Sequence, residues 1–471
     1  MALTTSRRRS TLPLPLQRRS NDEYAPLAYN ERDRRAMAAV ESRAEDAARR
    51  RRMSLSRYAE SRMGTAAALR AIDEAWGGGF YAVTPEAETD PAAADAALGG
   101  GELVIDVQTH YIADRRAQTE GAAGGLACIQ AVAPDRWKGL DGAAGLTLAE
   151  YVRCVFLESE TAVAVLTSAP GDEPRSILTN AEIAGTRELV DRLAGTGRLL
   201  NHSIVHPNRP GELDSMSRLA ERFKPAGWKV YTLYGDESTG GRGWMLDDEA
   251  IGLPFLQRVQ DSGVRTVCSH KGLSALADTG SPIDVGPAAA AFPGIDFLVY
   301  HSGYETPLAR GGDDQEEGPY SEEESGVGTN RLVKSLRDAG IGPGANVYAE
   351  LGSTWYLLMR RPREAAHVLG KLLLAVGEEN VLWGSDSIWY GSPQPLIDAF
   401  RAFQIPLEYT EKYGYPQLTQ QVKEKVLGLN AARVYGIDVE QARRAARDDD
   451  LAWTRQALAE YEAKGVPTSV G

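Results

Sequence analysis

The chain has 471 residues, 43% hydrophobic and 25% charged, with a net charge of −13. This is ordinary soluble-globular composition, long enough to bury a large core. The acidic balance argues against nucleic acid as the main partner, and no run of about 18 apolar residues is present to span a membrane.

Charge is spread unevenly. Residues 1–62 hold 15 Arg, no Lys and 8 acidic residues, a local +7, so the remainder carries −20. With the LPLPL stretch at Leu12–Leu16 and alternating charges around Glu31–Arg52, this segment reads as a solvated arm or a surface-packed helix. The alternative is an arm that wraps a second copy in a homo-oligomer. Arginine runs at Arg7–Arg9 and Arg49–Arg52 partly match a twin-arginine export signal. Neither is followed by an apolar stretch, since Met63–Ala75 carries Arg70, Asp73 and Glu74. Residues 1–100 are taken as an extension, 101–436 as the main domain and 437–471 as a helical tail, a surface segment rich in Arg, Asp and Glu.

From Glu102, short β-branched runs alternate with amphipathic segments. Strands are expected at Leu103–Val107, Thr161–Thr167, Leu199–Val205, Trp228–Thr232, Arg265–Ser269, Ile295–Tyr300, Asn346–Glu350 and Val381–Gly384. Helices are predicted at Asn180–Leu193, Glu212–Phe223, Asp248–Asp261, Asn330–Ala339 and Pro362–Val376. Eight strands spaced by helical periods predict an α/β fold, a (β/α)8 TIM barrel. A doubly wound sheet would stop at about five to seven strands. Long loops follow strand 1 (Gln108–Thr147) and strand 6 (Ser302–Gly328, with acidic runs Asp313–Glu317 and Glu322–Glu324), and both are expected to be lids at the barrel mouth. Cys128, Cys154 and Cys268 are too far apart for a zinc CxxC spacing or a disulfide framework, so a reducing cytoplasm is expected.

The six histidines are placed informatively. Strand 1 ends in Asp106-Val107-Gln108-Thr109-His110 and strand 5 in Ser269-His270-Lys271. Strand 6 ends in Tyr300-His301-Ser302-Gly303, strand 7 in Glu350, and strand 8 in Gly384-Ser385-Asp386. In a barrel these ends converge on one rim. Imidazole and carboxylate buried there are costly unless they hold a metal or each other, and the mixture suits Zn, Fe or Mn. His202 and His206 at strand 3 read as pocket or packing residues. His206, Tyr231 and Trp389 are the candidate substrate contacts. Glu364-x-x-His367, a single ExxH on an outer helix, reads as solvated, and Glu305 as a loop carboxylate.

Asp106-x-Gln108-x-His110, His270, His301-Ser302-Gly303, Trp383-Gly384-Ser385-Asp386 and Leu429-Asn430-Ala431-Ala432-Arg433 together resemble the amidohydrolase superfamily. The nearest subgroup is the amidohydrolase-related one of metal-dependent hydrolases and non-oxidative decarboxylases, and the resemblance runs over Leu103–Gly436. It implies that His110, His270 and His301 bind metal and that Asp386 binds metal or acts as general base. Gln108 departs from the family's HxH, and a glutamine ligates only weakly through its carbonyl oxygen, which counts against ordinary mononuclear zinc hydrolysis. Glu350 adds a carboxylate. Lys229 stands on the strand where some members carry a carboxylated lysine bridging two metals; otherwise it pairs with Glu350 or Asp386.

The altered pattern also resembles a branch of dinuclear non-haem iron monooxygenases, that of the platensimycin-biosynthesis diiron monooxygenase. This implies two Fe (or Fe/Mn), O2 as co-substrate and hydroxylation of a bulky organic acid or its acyl thioester. The ligands would be His110, His270, His301, Glu350 and Asp386, with Gln108 and Lys229 beside them; Asp386 and Glu350 would be catalytic. That is the leading expectation. The alternatives are a single-Zn or single-Mn hydrolase or decarboxylase with Asp386 as base, and a non-catalytic partner subunit of a related enzyme.

Overall fold

The computed structural model describes residues 12–113, 145–169, 176–233, 241–312 and 314–464. The strands are β1 (Val104–Thr109), β2 (Thr161–Leu166), β3 (Leu199–Ile204), β4 (Gly227–Tyr231), β5 (Thr266–His270), β6 (Asp296–Tyr300), β7 (Val347–Glu350) and β8 (Val381–Leu382). They pair in parallel in sequence order. The ring closes where Val107 N donates to Trp383 O at 3.1 Å, Asp386 N donates to Gln108 O at 2.9 Å, and Thr109 bridges Ser387. All of β1, β2, β4, β5, β7 and β8 is buried, as expected when helices cover the outside and side chains fill the inside. The (β/α)8 barrel read from the sequence is the observed fold.

Local chemistry sets the helix ends. Helix Asn180–Ala194 starts on a Thr179/Glu182 capping box and stops at left-handed Gly195, φ 72°. The helix expected at Asp248 begins only at Gly252. The Asp248 carboxylate instead accepts from Ala250 N and Ile251 N, both at 2.8 Å, and holds a turn.

Of the two readings of the N-terminal segment, the surface-packed helix is met by Glu31–Arg50 and the solvated arm is not. Leu14, Leu16, Ser20 and Asn21 are buried, and the two leucines share one apolar cluster with Val104 of β1 and Val381 of β8. Helix Glu31–Arg50 follows, and Met63–Ala75 lies in helix Arg62–Ala75, whose face from Met63 to Ile72 is buried. The arginines do not hold the segment in water. Their half-buried heads pair with carboxylates, Arg62 with Glu160 and the buried Asp398, Arg70 with the buried Glu88, while Leu and Ala pack beneath. Arg7–Arg9, Cys128 and residues 114–144 of the loop after β1 lie outside the described residues; Cys154 and Cys268 are buried thiols.

The loop after β6 is not a free lid. Glu305 is buried against Arg331 at 2.7 Å, and Glu317 against Lys371 at 2.6 Å. Glu364, expected to be solvated, is fully buried and takes Arg310, Arg361 and Tyr304. His367 Nδ1 lies 3.1 Å from Tyr415 OH. The loop folds down over helix Pro362–Val376 and buries what would otherwise face water. Asp313 of its acidic run lies outside the described residues.

No helix among the described residues is long and apolar enough to cross a membrane. Helices Val439–Asp448 and Asp450–Lys464 are tied to the barrel through Asp449. Its Oδ2 accepts from Arg198 Nη1 at 2.7 Å, with both side chains 1% exposed, and from Thr196 Oγ1 at 2.8 Å. Removing one partner leaves a buried charge uncompensated. Arg198→Met is therefore expected to destabilise the fold by about 3–5 kcal/mol in urea unfolding; a loss below about 1 kcal/mol would contradict a tail anchored through this pair.

Candidate metal centre

β5 ends in His270, which pairs in register with Tyr300 at the end of β6. His301 therefore stands next to it on the rim, the two rings 4.6 Å apart at 70°. His301, Ser302 and Gly303 all have left-handed backbone (φ 65°, 52° and 74°), and this sharp turn aims the His301 ring inward. The turn is held by Glu350: His301 N donates to Glu350 Oε2 at 3.1 Å, and Gly352 N to Oε1 at 2.6 Å. His301 Nδ1 meets Gly352 O at 2.7 Å. Facing a carbonyl, Nδ1 carries the proton and Nε2 keeps its lone pair. That Nε2 has no hydrogen-bond partner, and neither has His270 Nδ1.

Asp386 gathers the other half of the rim. Its Oδ1 accepts from Gln108 Nε2 at 3.2 Å and Trp389 Nε1 at 3.1 Å; its Oδ2 accepts from Asn21 Nδ2 at 2.9 Å and Ser353 Oγ at 2.5 Å. Burial opposes its charge, but His110 and the hydrogen bonds outweigh burial and hold the carboxyl below its usual range. His110 Nδ1 faces Thr167 O at 3.1 Å, while His110 Nε2 faces Asp386 Oδ1 at 3.1 Å.

Glu23, from the N-terminal segment, completes the centre. Its Oε1 is 3.5 Å from His270 Nδ1 and its Oε2 3.7 Å from His301 Nε2. These ligand atoms lie within 4.8 Å of one another, the one such trio among the described residues. Burial, and after it the Asp386 carboxylate, pushes the Glu23 carboxyl up to about 8. Its side chain is still 26% exposed, so solvent softens the contribution of burial. Composition hid this residue, because an Arg-rich segment reads as solvated. The available signal was the ligand-capable Ser20-Asn21-Asp22-Glu23, three residues after the apolar LPLPL.

The remaining expected site residues take different places. Each Glu350 oxygen accepts from a backbone N–H, so Glu350 holds the His301 turn; burial pushes its carboxyl up to about 8. Gly352 and Gly384 make room for this arrangement. A Cβ on Gly384 would sit 1.7 Å from Glu350 Oε1, and one on Gly352 2.2 Å from Gln108 Oε1. Gln108 turns its amide to Asp386, and its Oε1 is unpartnered. The pairing of Lys229 with Glu350 or Asp386 is not made. Its buried Nζ has no hydrogen-bond partner and lies 3.6 Å from the centre of the Tyr300 ring and 4.7 Å from that of Tyr231. Burial pulls its pKa down to about 8.

Tyr231 stacks on His270 at 4.9 Å and Trp389 on His110 at 5.6 Å. Both act as walls of the centre. His206 lies two residues beyond β3, half-buried and outside the trio. His202 is a core histidine, its Nε2 3.0 Å from Tyr435 OH. Glu305, paired with Arg331, is structural.

The sequence profile of the amidohydrolase family matches residues 105–437. No curated protein matches the sequence. Among solved structures, 5-carboxyvanillate decarboxylase from Sphingomonas paucimobilis is 15% identical, with 71% of this chain and 99% of that one covered at a TM-score of 0.41. The manganese-bound 5-carboxyvanillate decarboxylase from Novosphingobium aromaticivorans is 15% identical, with coverages of 71% and 96% and a TM-score of 0.41. The 2,6-dihydroxybenzoate decarboxylase from Rhizobium is 14% identical, with coverages of 72% and 99% and a TM-score of 0.42. These superpositions are loose, and the activities in the names are those of the named proteins. The profile spans the barrel from β1 through the NAAR segment, and the chain belongs to the amidohydrolase family.

Proposed function

We propose that the protein is an enzyme that uses one divalent cation, Mn2+ or Zn2+, to hydrolyse or non-oxidatively decarboxylate a small organic acid. The observation that carries this reading is the convergence of two buried, unpartnered imidazole nitrogens, His270 Nδ1 and His301 Nε2, on the Glu23 carboxylate. Borderline nitrogen donors with one carboxylate suit such ions. His270, His301 and Glu23 would hold the cation, which supplies Lewis-acid charge to a substrate oxygen or to water.

The surrounding residues do the rest. Asp386, kept ionised beside the trio, accepts or returns the proton, with Ser353, Asn21, Trp389 and Gln108 fixing its oxygens. Lys229, a buried amine without a carboxylate partner, fits a substrate carboxylate. Tyr231 and Trp389 form apolar walls that exclude water. A dinuclear non-haem iron oxygenase using O2 is the second reading. Its support is the set of three carboxylates, Glu23, Glu350 and Asp386, around three imidazoles. Weighing against it, Glu350 is committed to backbone donors and Asp386 to four side-chain donors.

Activity on a panel of aromatic and aliphatic carboxylic acids and their amides or esters is expected to persist without O2, to vanish on chelation and to return with Mn2+ or Zn2+. Two irons per chain with an absolute need for O2 would establish the second reading instead. Mn2+ affinity is expected to rise with pH by up to about tenfold per unit and to level off above about pH 8, because the cation displaces the proton that Glu23 retains up to that pH. His301, held at about 4 by burial, adds no competition in that range. Glu23→Gln should flatten the profile in equilibrium dialysis. Glu350→Gln places an amide NH2 against the backbone donors that set the His301 turn, and about 10–100-fold weaker metal binding is expected; unchanged affinity would refute the positioning role.

A further inference from the structure

Residues 20–24 cross the barrel mouth through groups that belong to the metal centre. Asn21 Nδ2 donates to Asp386 Oδ2 at 2.9 Å and to Ser353 Oγ at 3.2 Å. Tyr24 OH lies 3.0 Å from Tyr390 OH, which bonds Ser353 Oγ at 2.5 Å. Between Asn21 and Tyr24, left-handed Asp22 (φ 74°) turns the chain so that Glu23 faces His270 and His301.

The Glu23 contact is not self-sufficient. His301 Nδ1 donates to Gly352 O, so its Nε2 presents a lone pair to a carboxylate oxygen 3.7 Å away. Once Glu23 gives up its proton, the two acceptors face each other and repel unless a positive centre lies between them. We infer that a divalent cation bridging His270 and His301 takes Glu23 as its third protein ligand and clamps the N-terminal segment across the barrel mouth, so that ion binding and docking of this segment are one coupled equilibrium. The inference rests on the proposed metal centre. A ligand that binds only the docked form shifts docking by mass action, and a site that uses a residue from outside the barrel is complete only when that residue is seated.

The test needs no substrate. The full-length chain, freed of metal by chelation and dialysis, is digested with trypsin with and without Mn2+ alone or Zn2+ alone, and cleavage after the exposed Arg18 is followed by mass. Ion binding is measured in parallel by equilibrium dialysis. In the natural chain, saturating ion should slow this cleavage by at least about tenfold. Glu23→Gln and Glu23→Ala should bind the ion at least about tenfold more weakly and be cut at the metal-free rate even when saturated, with their melting temperatures showing that the barrel is intact. If the natural chain binds the ion but is cut equally fast with and without it, or if saturated Glu23→Gln is protected as well as the natural chain, the clamp is overturned and the metal centre stands. If the natural chain binds neither ion, the proposed function falls and the clamp with it.

Discussion

Two imidazole nitrogens with no hydrogen-bond partner, buried side by side at the rim of a barrel, are the constraint around which this molecule is arranged. A buried polar atom without a partner is disfavoured by about 1–3 kcal/mol. Here the surroundings enforce the arrangement: the Glu350 carboxylate holds the His301 turn, the Gly352 carbonyl selects the His301 tautomer, and the Tyr231 ring stacks on His270. Each shapes the neighbours of the two lone pairs and none satisfies them. The proposed cation is an occupant whose chemistry does.

The rim is built in two halves with separate tasks. One half, His270 with His301 and Glu23, offers donor atoms. The other, His110 with Asp386, keeps a carboxylate charged although burial opposes the charge. Glycines at 352 and 384 let the two halves approach, since a side chain at either would occupy the space of Glu350 or Gln108. Left-handed backbone at His301 and Asp386 is the other cost of that approach.

Much of this was legible in the sequence, for a physical reason. Parallel strands buried on both faces read as β-branched runs, and residues at their C-terminal ends share a rim whatever their separation in the chain; hence His110, His270, His301 and Asp386 could be grouped before any coordinates were known. Side-chain partners were less legible. Glu350 looked like a ligand because a carboxylate at a strand end faces the centre, and nothing local shows that backbone N–H groups take both its oxygens. Lys229 was expected to pair with an acid but sits over aromatic faces. Glu23 was missed because it sits in an Arg-rich segment and its partners His270 and His301 lie far along the chain, at the ends of β5 and β6. Glu364 was misjudged because a distant loop covers it, and His367 because Tyr409, Tyr413 and Tyr415 pack against it.

The central claim is that Glu23, His270 and His301 share one divalent ion, and locating that ion tests it most directly. Crystals grown with Zn2+ and measured at its absorption edge should show one anomalous peak per chain, about 2.0–2.2 Å from a donor atom of each of the three residues. A fully loaded protein whose peak lies elsewhere, or whose rim shows no peak, would contradict the account.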